Sequence, residues 1–162
     1  MVNDSIVIKK GVELEIEVQS LAYGGMGLAK VDDFVVFVKN GIPGQRVLVL
    51  IYKKKKGFAE ARIIKVLEQS PLATEARCDH YWICSKLQTL SYEEQLKEKE
   101  KQVVDAFQRI GGFNDFTING VRSAENKYNY RNKMEFTFSP HRWILESEPE
   151  GVDSSFALGL HI

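Results

Sequence analysis

Residues 12–66 hold five short runs of strand character with no helical period between them, and this series limits the fold more than any other feature of the chain. Val12-Glu13-Leu14-Glu15-Ile16-Glu17-Val18 alternates apolar and acidic residues, the pattern of a half-buried strand. Tyr23-Gly24-Gly25-Met26-Gly27 follows, and the residues after it are again strand-like. That context suits a tight turn needing positive φ, and it lacks the strand–loop–helix order of a nucleotide-binding glycine motif. Phe34-Val35-Val36-Phe37-Val38 is a continuous apolar run, and Pro43-Gly44 suits the central pair of a type II turn. Residues 46–52 and 58–66 complete the series. Short strands at this density predict a small closed barrel of the oligonucleotide-binding type.

Between the last two runs lies Lys53-Lys54-Lys55-Lys56-Gly57-Phe58. It reads either as a solvated hairpin tip or as a phosphate-contacting loop with an aromatic beside it. The net charge of zero hides an asymmetry that bears on this choice. Residues 1–70 carry eleven Lys/Arg against eight Asp/Glu, residues 71–112 six against seven, and residues 113–162 five against seven. A front module that meets a polyanion would show this bias.

Ser70-Pro71 reads as a linker, and residues 71–90 as linker and cysteine loop. Cys78, His80, Tyr81, Trp82 and Cys84 crowd into seven positions and resemble a metal or cluster loop. Ser91 with Glu94 three residues on matches a capping box, and a helix is predicted over 92–110 up to Gly111-Gly112. At 1.5 Å per residue it would be about 28 Å long. Its apolar stripe is Tyr92, Leu96, Val103, Phe107 and Ile110, with Lys97, Glu98, Glu100 and Lys101 on the solvated side. In the last third, residues 133–138, 143–145 and 156–160 have strand character. Met134, Phe136 and Phe138 alternate onto one face, which predicts a small antiparallel sheet with one side buried. The acidic stretch 146–155 reads as a solvent loop, and the chain stops at Leu160-His161-Ile162 inside a strand pattern. The expected class is therefore mainly β with one long helix (α+β). With two cysteines, no signal peptide and no membrane-length apolar run, a cytoplasmic, non-membrane protein is expected.

These segments resemble, in order and spacing, the N-terminal part of the bacterial RNA uracil-5-methyltransferase family. Tyr23-Gly24-Gly25-Met26-Gly27, Phe37-Val38, Pro43-Gly44 and Ala59-Glu60-Ala61 through Pro71 are similar to its RNA-binding TRAM barrel. Leu90-Ser91-Tyr92-Glu93-Glu94-Gln95-Leu96 and Arg109-Ile110-Gly111-Gly112 are similar to its helix, and Tyr130-Arg131-Asn132-Lys133-Met134-Glu135-Phe136 to a segment of its central domain. The resemblance implies a TRAM barrel over 1–70, the helix over 91–112 and an incomplete central β domain over 113–162.

Two departures qualify what the resemblance implies. Cluster-bearing members carry Cys-x5-Cys-Gly-Gly-Cys and a fourth cysteine. Cys78 and Cys84 fit the first pair, but Ser85 stands where the third would fall. Two thiols with His80 fall short of four ligands, so no iron–sulfur cluster or other cofactor is expected on this chain. The family's cysteine nucleophile, carboxylate base and S-adenosylmethionine fold would lie beyond Ile162, so the chain alone is expected to be inactive. Its expected role is RNA recognition, for ribosomal RNA ahead of transfer RNA. Lys53, Lys54, Lys55, Lys56 and Phe58 are the leading contacts, with Arg131 and Lys133 secondary. The alternative is a stand-alone RNA-binding or ribosome-associated module. With no catalytic domain against it, the helix stripe is expected to be open to self-association.

Overall fold

The computed structural model describes residues 7–79, 81, 85–145 and 147–159. The chain divides into two compact units, residues 1–122 and 123–162.

In the first unit, strands β1 (Glu13–Glu17), β2 (Ser20–Leu21), β3 (Gly27–Val31), β4 (Phe34–Lys39), β5 (Arg46–Lys54) and β6 (Phe58–Glu68) form one sheet in the order β1-β5-β6-β4-β3-β2. Five of these match the runs read from the sequence; the two-residue β2 is additional. Its position explains how the sheet closes. β1 pairs antiparallel with β5 at one edge, and β2 pairs with β3 at the other. The two residues between them extend both ladders: Val18 N–H donates to Gln45 C=O (2.9 Å) and Gln19 N–H to Leu28 C=O (2.8 Å). One bent segment, residues 13–21, thus bonds to β5 along its first part and to β3 along its last. The parallel pairing of β4 with β6 completes the Greek-key barrel.

Inward positions alternate with outward ones along β1, β3, β4, β5 and the first half of β6. Val36 and Val38 of β4, Val47, Val49 and Ile51 of β5, and Ala59 and Ala61 of β6 are fully buried with Val18 and Ala29. Ile51 is the largest of these, and truncating a core isoleucine to alanine costs about 2–5 kcal/mol. The β-branched majority suits strands because its restricted χ1 packs well on a pleated surface. Gly27 is dictated by a close crossing: a Cβ there would lie 2.9 Å from Gly41 O and 2.9 Å from a Val18 methyl. The predicted type II turn forms, with Gly44 at φ +83° and Gln45 N–H donating to Ile42 C=O at 3.1 Å.

The stretch after the barrel is fastened to it. Ser70 is buried, its hydroxyl donates to Pro43 C=O (2.6 Å) and accepts from Leu72 N–H (3.1 Å). A bridge between Ala73 and Leu90 closes the following loop, and Leu90 joins Leu21 and Ile42 in a second apolar cluster. Ser70 and Pro71 therefore do not act as a loose tether.

Helix α1 spans Tyr92–Asp105 and continues through one wider π turn over Ala106–Ile110, so helical geometry ends where Gly111-Gly112 predicts. The capping box does not form. The Ser91 side chain makes no cap bond, and Glu94 turns instead to Lys97 (2.5 Å). Gln95 holds the entry by donating from Nε2 to Leu90 C=O at 2.9 Å.

The second unit holds a two-stranded antiparallel sheet, β7 (Thr137–Ser139) with β8 (Ala157–Gly159). Two sequence expectations are corrected here. Residues 143–145 form no strand, and Met134, Phe136 and Phe138 are exposed rather than buried. A sheet this narrow has no second layer among the described residues to cover its apolar side. Within the acidic loop, Glu148 is drawn into an ion pair with Arg142 (2.5 Å).

Candidate nucleic-acid interface

The β5–β6 hairpin gathers the barrel's positive charge. Lys53 and Lys54 end β5, Lys55 N–H donates to Phe58 C=O at 2.8 Å, and Lys56-Gly57 forms the tip. The four lysines are not equivalent. Lys53 Nζ lies 2.5 Å from Glu60 Oε1, while Tyr52 donates its hydroxyl to Glu60 Oε2 at 2.9 Å. These two donors, Lys53 first, hold the Glu60 carboxyl below its ordinary pKa, and burial with Glu60 beside it raises the Tyr52 phenol. Lys54 Nζ sits 5.8 Å from the centroid of the Phe34 ring, within cation–π range. Lys54, Lys55 and Lys56 make no ion pair among the described residues.

Phe58 opens β6 on the outer face, opposite in sense to buried Ala59 and Ala61. It is half-buried and meets Phe37 of β4 edge to face, with centroids 5.5 Å apart. It is therefore neither a core residue nor a free ring. The pair forms a ledge on which a base can stack, next to three cations that can take phosphate. Phe37 and Tyr52 belong to this surface and went unread as site residues, because their runs read as plain strand. Register is the signal that would have found them: Val35 pairs with Phe58, which sets Phe37 and Phe58 on adjacent outward rows.

Arg131 and Lys133 belong to the second unit. Lys133 pairs with Glu135 at 2.8 Å, and Arg131 Nε donates to Lys133 C=O at 3.2 Å. Cys78 is exposed; Gln88 Oε1 accepts from its N–H at 3.2 Å, and Gln88 Nε2 lies 4.0 Å from its sulfur. Cys84 and His80, the other proposed metal ligands, lie outside the described residues. The described residues do not supply the four donors of an iron–sulfur or zinc site. Nor do they form a S-adenosylmethionine cradle around the glycine-rich loop, which joins β2 to β3 instead of opening a helix. No helix is long and apolar enough to cross a membrane among the described residues.

Residues 8–64 match the TRAM domain. Over 155 residues, 91% of its length, the chain is 39% identical to a Porphyromonas gingivalis protein named an RNA methyltransferase. It is 41% identical over 130 residues to one from Bacillus cereus and 40% identical over 147 residues to one from Bacteroides thetaiotaomicron, covering 79% and 88% of this chain. The chain spans 33%, 28% and 32% of these three proteins, about a third of their length. Among solved structures, a conserved Methanococcus maripaludis protein is 32% identical, covering 40% of this chain and 93% of that one, with a TM-score of 0.35. The Pyrococcus abyssi tRNA (uracil-54, C5)-methyltransferase in complex with S-adenosyl-L-homocysteine is 24% identical, covering 61% and 21%, with a TM-score of 0.40.

Proposed function

A TRAM-bearing homologue of the RNA methyltransferases, this chain is, we propose, the RNA-recognition part of a uracil-C5 methyltransferase that uses S-adenosylmethionine as methyl donor and acts on ribosomal RNA. The observation that supports this reading most is the hairpin ledge: three lysines that form no ion pair among the described residues, on the hairpin whose Phe58 meets Phe37 on a barrel's outer face. Methyl transfer to C5 needs a nucleophile adding at C6, a step distinct from the strand binding proposed for these residues. The chain's own part is to draw a single strand onto the ledge by charge and to hold it by stacking.

Salt dependence tests this. Each lysine on a phosphate of a single strand adds about 0.7 to the magnitude of the log-affinity versus log-salt slope. Replacing Lys54, Lys55 and Lys56 with Gln should flatten the slope by about 2 units and weaken unrelated RNA sequences equally. Phe58→Ala should cost about 1–3 kcal/mol of binding with little change in slope, once circular dichroism shows the variant folded. An unchanged slope in the triple variant would return the hairpin to a solubilising tip. Methyl-transfer assay of the chain alone is expected to give no product.

A further inference from the structure

The glycine-rich turn between β2 and β3 presents an aromatic ring that the fold itself does not use. Gly25 N–H donates to Ala22 C=O at 3.0 Å with Gly24 at φ +86°, a type II turn with Tyr23 at its first corner. Ala22 N–H donates to Met26 C=O at 2.8 Å and closes the loop at its base. The turn is also held from the side. Gly25 is buried, and a Cβ there would lie 3.4 Å from Leu87 Cδ2 and 3.5 Å from Lys86 Cβ. Leu87 in turn packs on the cluster of Leu21, Ile42 and Leu90. On this fixed support Tyr23 is 90% exposed and pairs with no other ring among the described residues. Lys86 is exposed beside the turn and forms no ion pair among the described residues.

The outward side of β3 leads from the hairpin ledge to this turn. Leu28 and Lys30 alternate with buried Gly27, Ala29 and Val31, so both face outward. Leu28 is opposite Phe37, and Lys30 is opposite Val35, which is itself opposite Phe58. Two ladder spacings of about 4.8 Å put Lys30 about 10 Å from Phe58, and the turn begins about 10 Å further along β3 at 3.4 Å per residue. Lys30 is exposed and forms no ion pair among the described residues. At the opposite end of β3 the exposed Asp32 and Asp33 repel a polyanion, so charge favours a course toward Tyr23.

We propose that the bound RNA strand crosses from the Phe37–Phe58 ledge onto the outer side of β3 and stacks a second base on Tyr23, with Lys30 and Lys86 on its phosphates. The inference rests on the RNA-recognition reading and extends it. A ring already held on a fixed turn loses little freedom when a base covers it. The span fits within the 4–16 nucleotides that a barrel of this type occupies, and stacking accepts any base, so no sequence preference arises at Tyr23.

The test uses the full chain and a fluorescently labelled, unstructured single-stranded RNA of about 12 nucleotides, followed by anisotropy across salt. Tyr23→Ala should weaken binding about fivefold or more with the salt slope unchanged, and Tyr23→Phe should bind as wild type does, since stacking needs the ring and not the hydroxyl. Lys30→Gln with Lys86→Gln should flatten the slope by about 1.4. The melting temperature of Tyr23→Ala should equal that of wild type, because its ring is exposed. If Tyr23→Ala is destabilised, the Tyr23 ring resonances of wild type decide: a ring-current shift on adding RNA supports the stack, and none overturns it. Equal losses in Tyr23→Phe and Tyr23→Ala would assign the contact to the hydroxyl and overturn stacking. Unchanged binding in Tyr23→Ala, while the hairpin triple variant still flattens the slope, would overturn the Tyr23 site and leave the hairpin reading standing. A loss in Tyr23→Ala with an unchanged slope in the triple variant would do the reverse. Absence of RNA binding by wild type would overturn both.

Discussion

Glu60 decides how much of the lysine run is available to RNA. It holds Lys53 at 2.5 Å and accepts from Tyr52, so one of four cations already has its counter-charge. Glu60→Gln should free Lys53 and steepen the salt slope of RNA binding by about 0.7, measured by anisotropy across salt. The same residue makes a pH prediction with a definite sign. A carboxyl held below its ordinary pKa in the fold adds stability that is present above its unfolded value and lost as pH falls through its folded one. The melting-temperature advantage of wild type over Glu60→Gln should therefore be full above about pH 5 and fade below about pH 4. An advantage that persists in acid would mean packing, not the ion pair, is what Glu60 contributes.

Among the elements, the helix departs most from its sequence signals. An N-cap serine normally contributes about 1 kcal/mol, but the Ser91 side chain makes no cap bond. Ser91→Ala should thus change chemical-denaturation stability by less than about 0.5 kcal/mol. Gln95→Ala should cost more, because it strips the Leu90 carbonyl of its partner. The helix has no buried residue; Val103 and Phe107 are nearly half exposed, and Ile110 is 88% exposed. A stripe of that kind favours association between copies, so sedimentation velocity should show a concentration-dependent dimer that Val103→Ser with Ile110→Ser abolishes. A monomer at every concentration would show that the stripe is tolerated in water.

For the molecule as a whole, stability is unevenly distributed. Every buried apolar residue among the described ones falls between Ile16 and Leu90, within the first unit. Cutting the chain after Arg122 should leave the main thermal transition within a few degrees of the full chain, read by circular dichroism. It should also leave the RNA salt slope nearly unchanged, since Lys133 has Glu135 as its partner and Arg131 is bonded to a neighbouring carbonyl. A loss of about 1.4 slope units would instead place both side chains on phosphate.

The barrel was legible in the residues because its information is local. Period-two burial in Val12–Val18, the Pro43-Gly44 turn and the glycines at positions 24, 25 and 27 each specify their own few residues, and the strands follow. The helix boundary at Gly111 was legible for the same reason. What tertiary structure alone decided is where non-local neighbours fall. No pattern in Lys53 reveals that Glu60 neutralises it, and nothing in Phe37 announces Phe58, because a seven-residue hairpin separation and a parallel register create those contacts. The cap at Ser91 failed, and the apolar face of Met134, Phe136 and Phe138 stayed exposed, by the same logic: a competing partner, Lys97, was within reach of Glu94, and no second layer among the described residues covers the small sheet. Propensity is a property of a segment, whereas burial and ion pairing depend on what the rest of the chain places beside it.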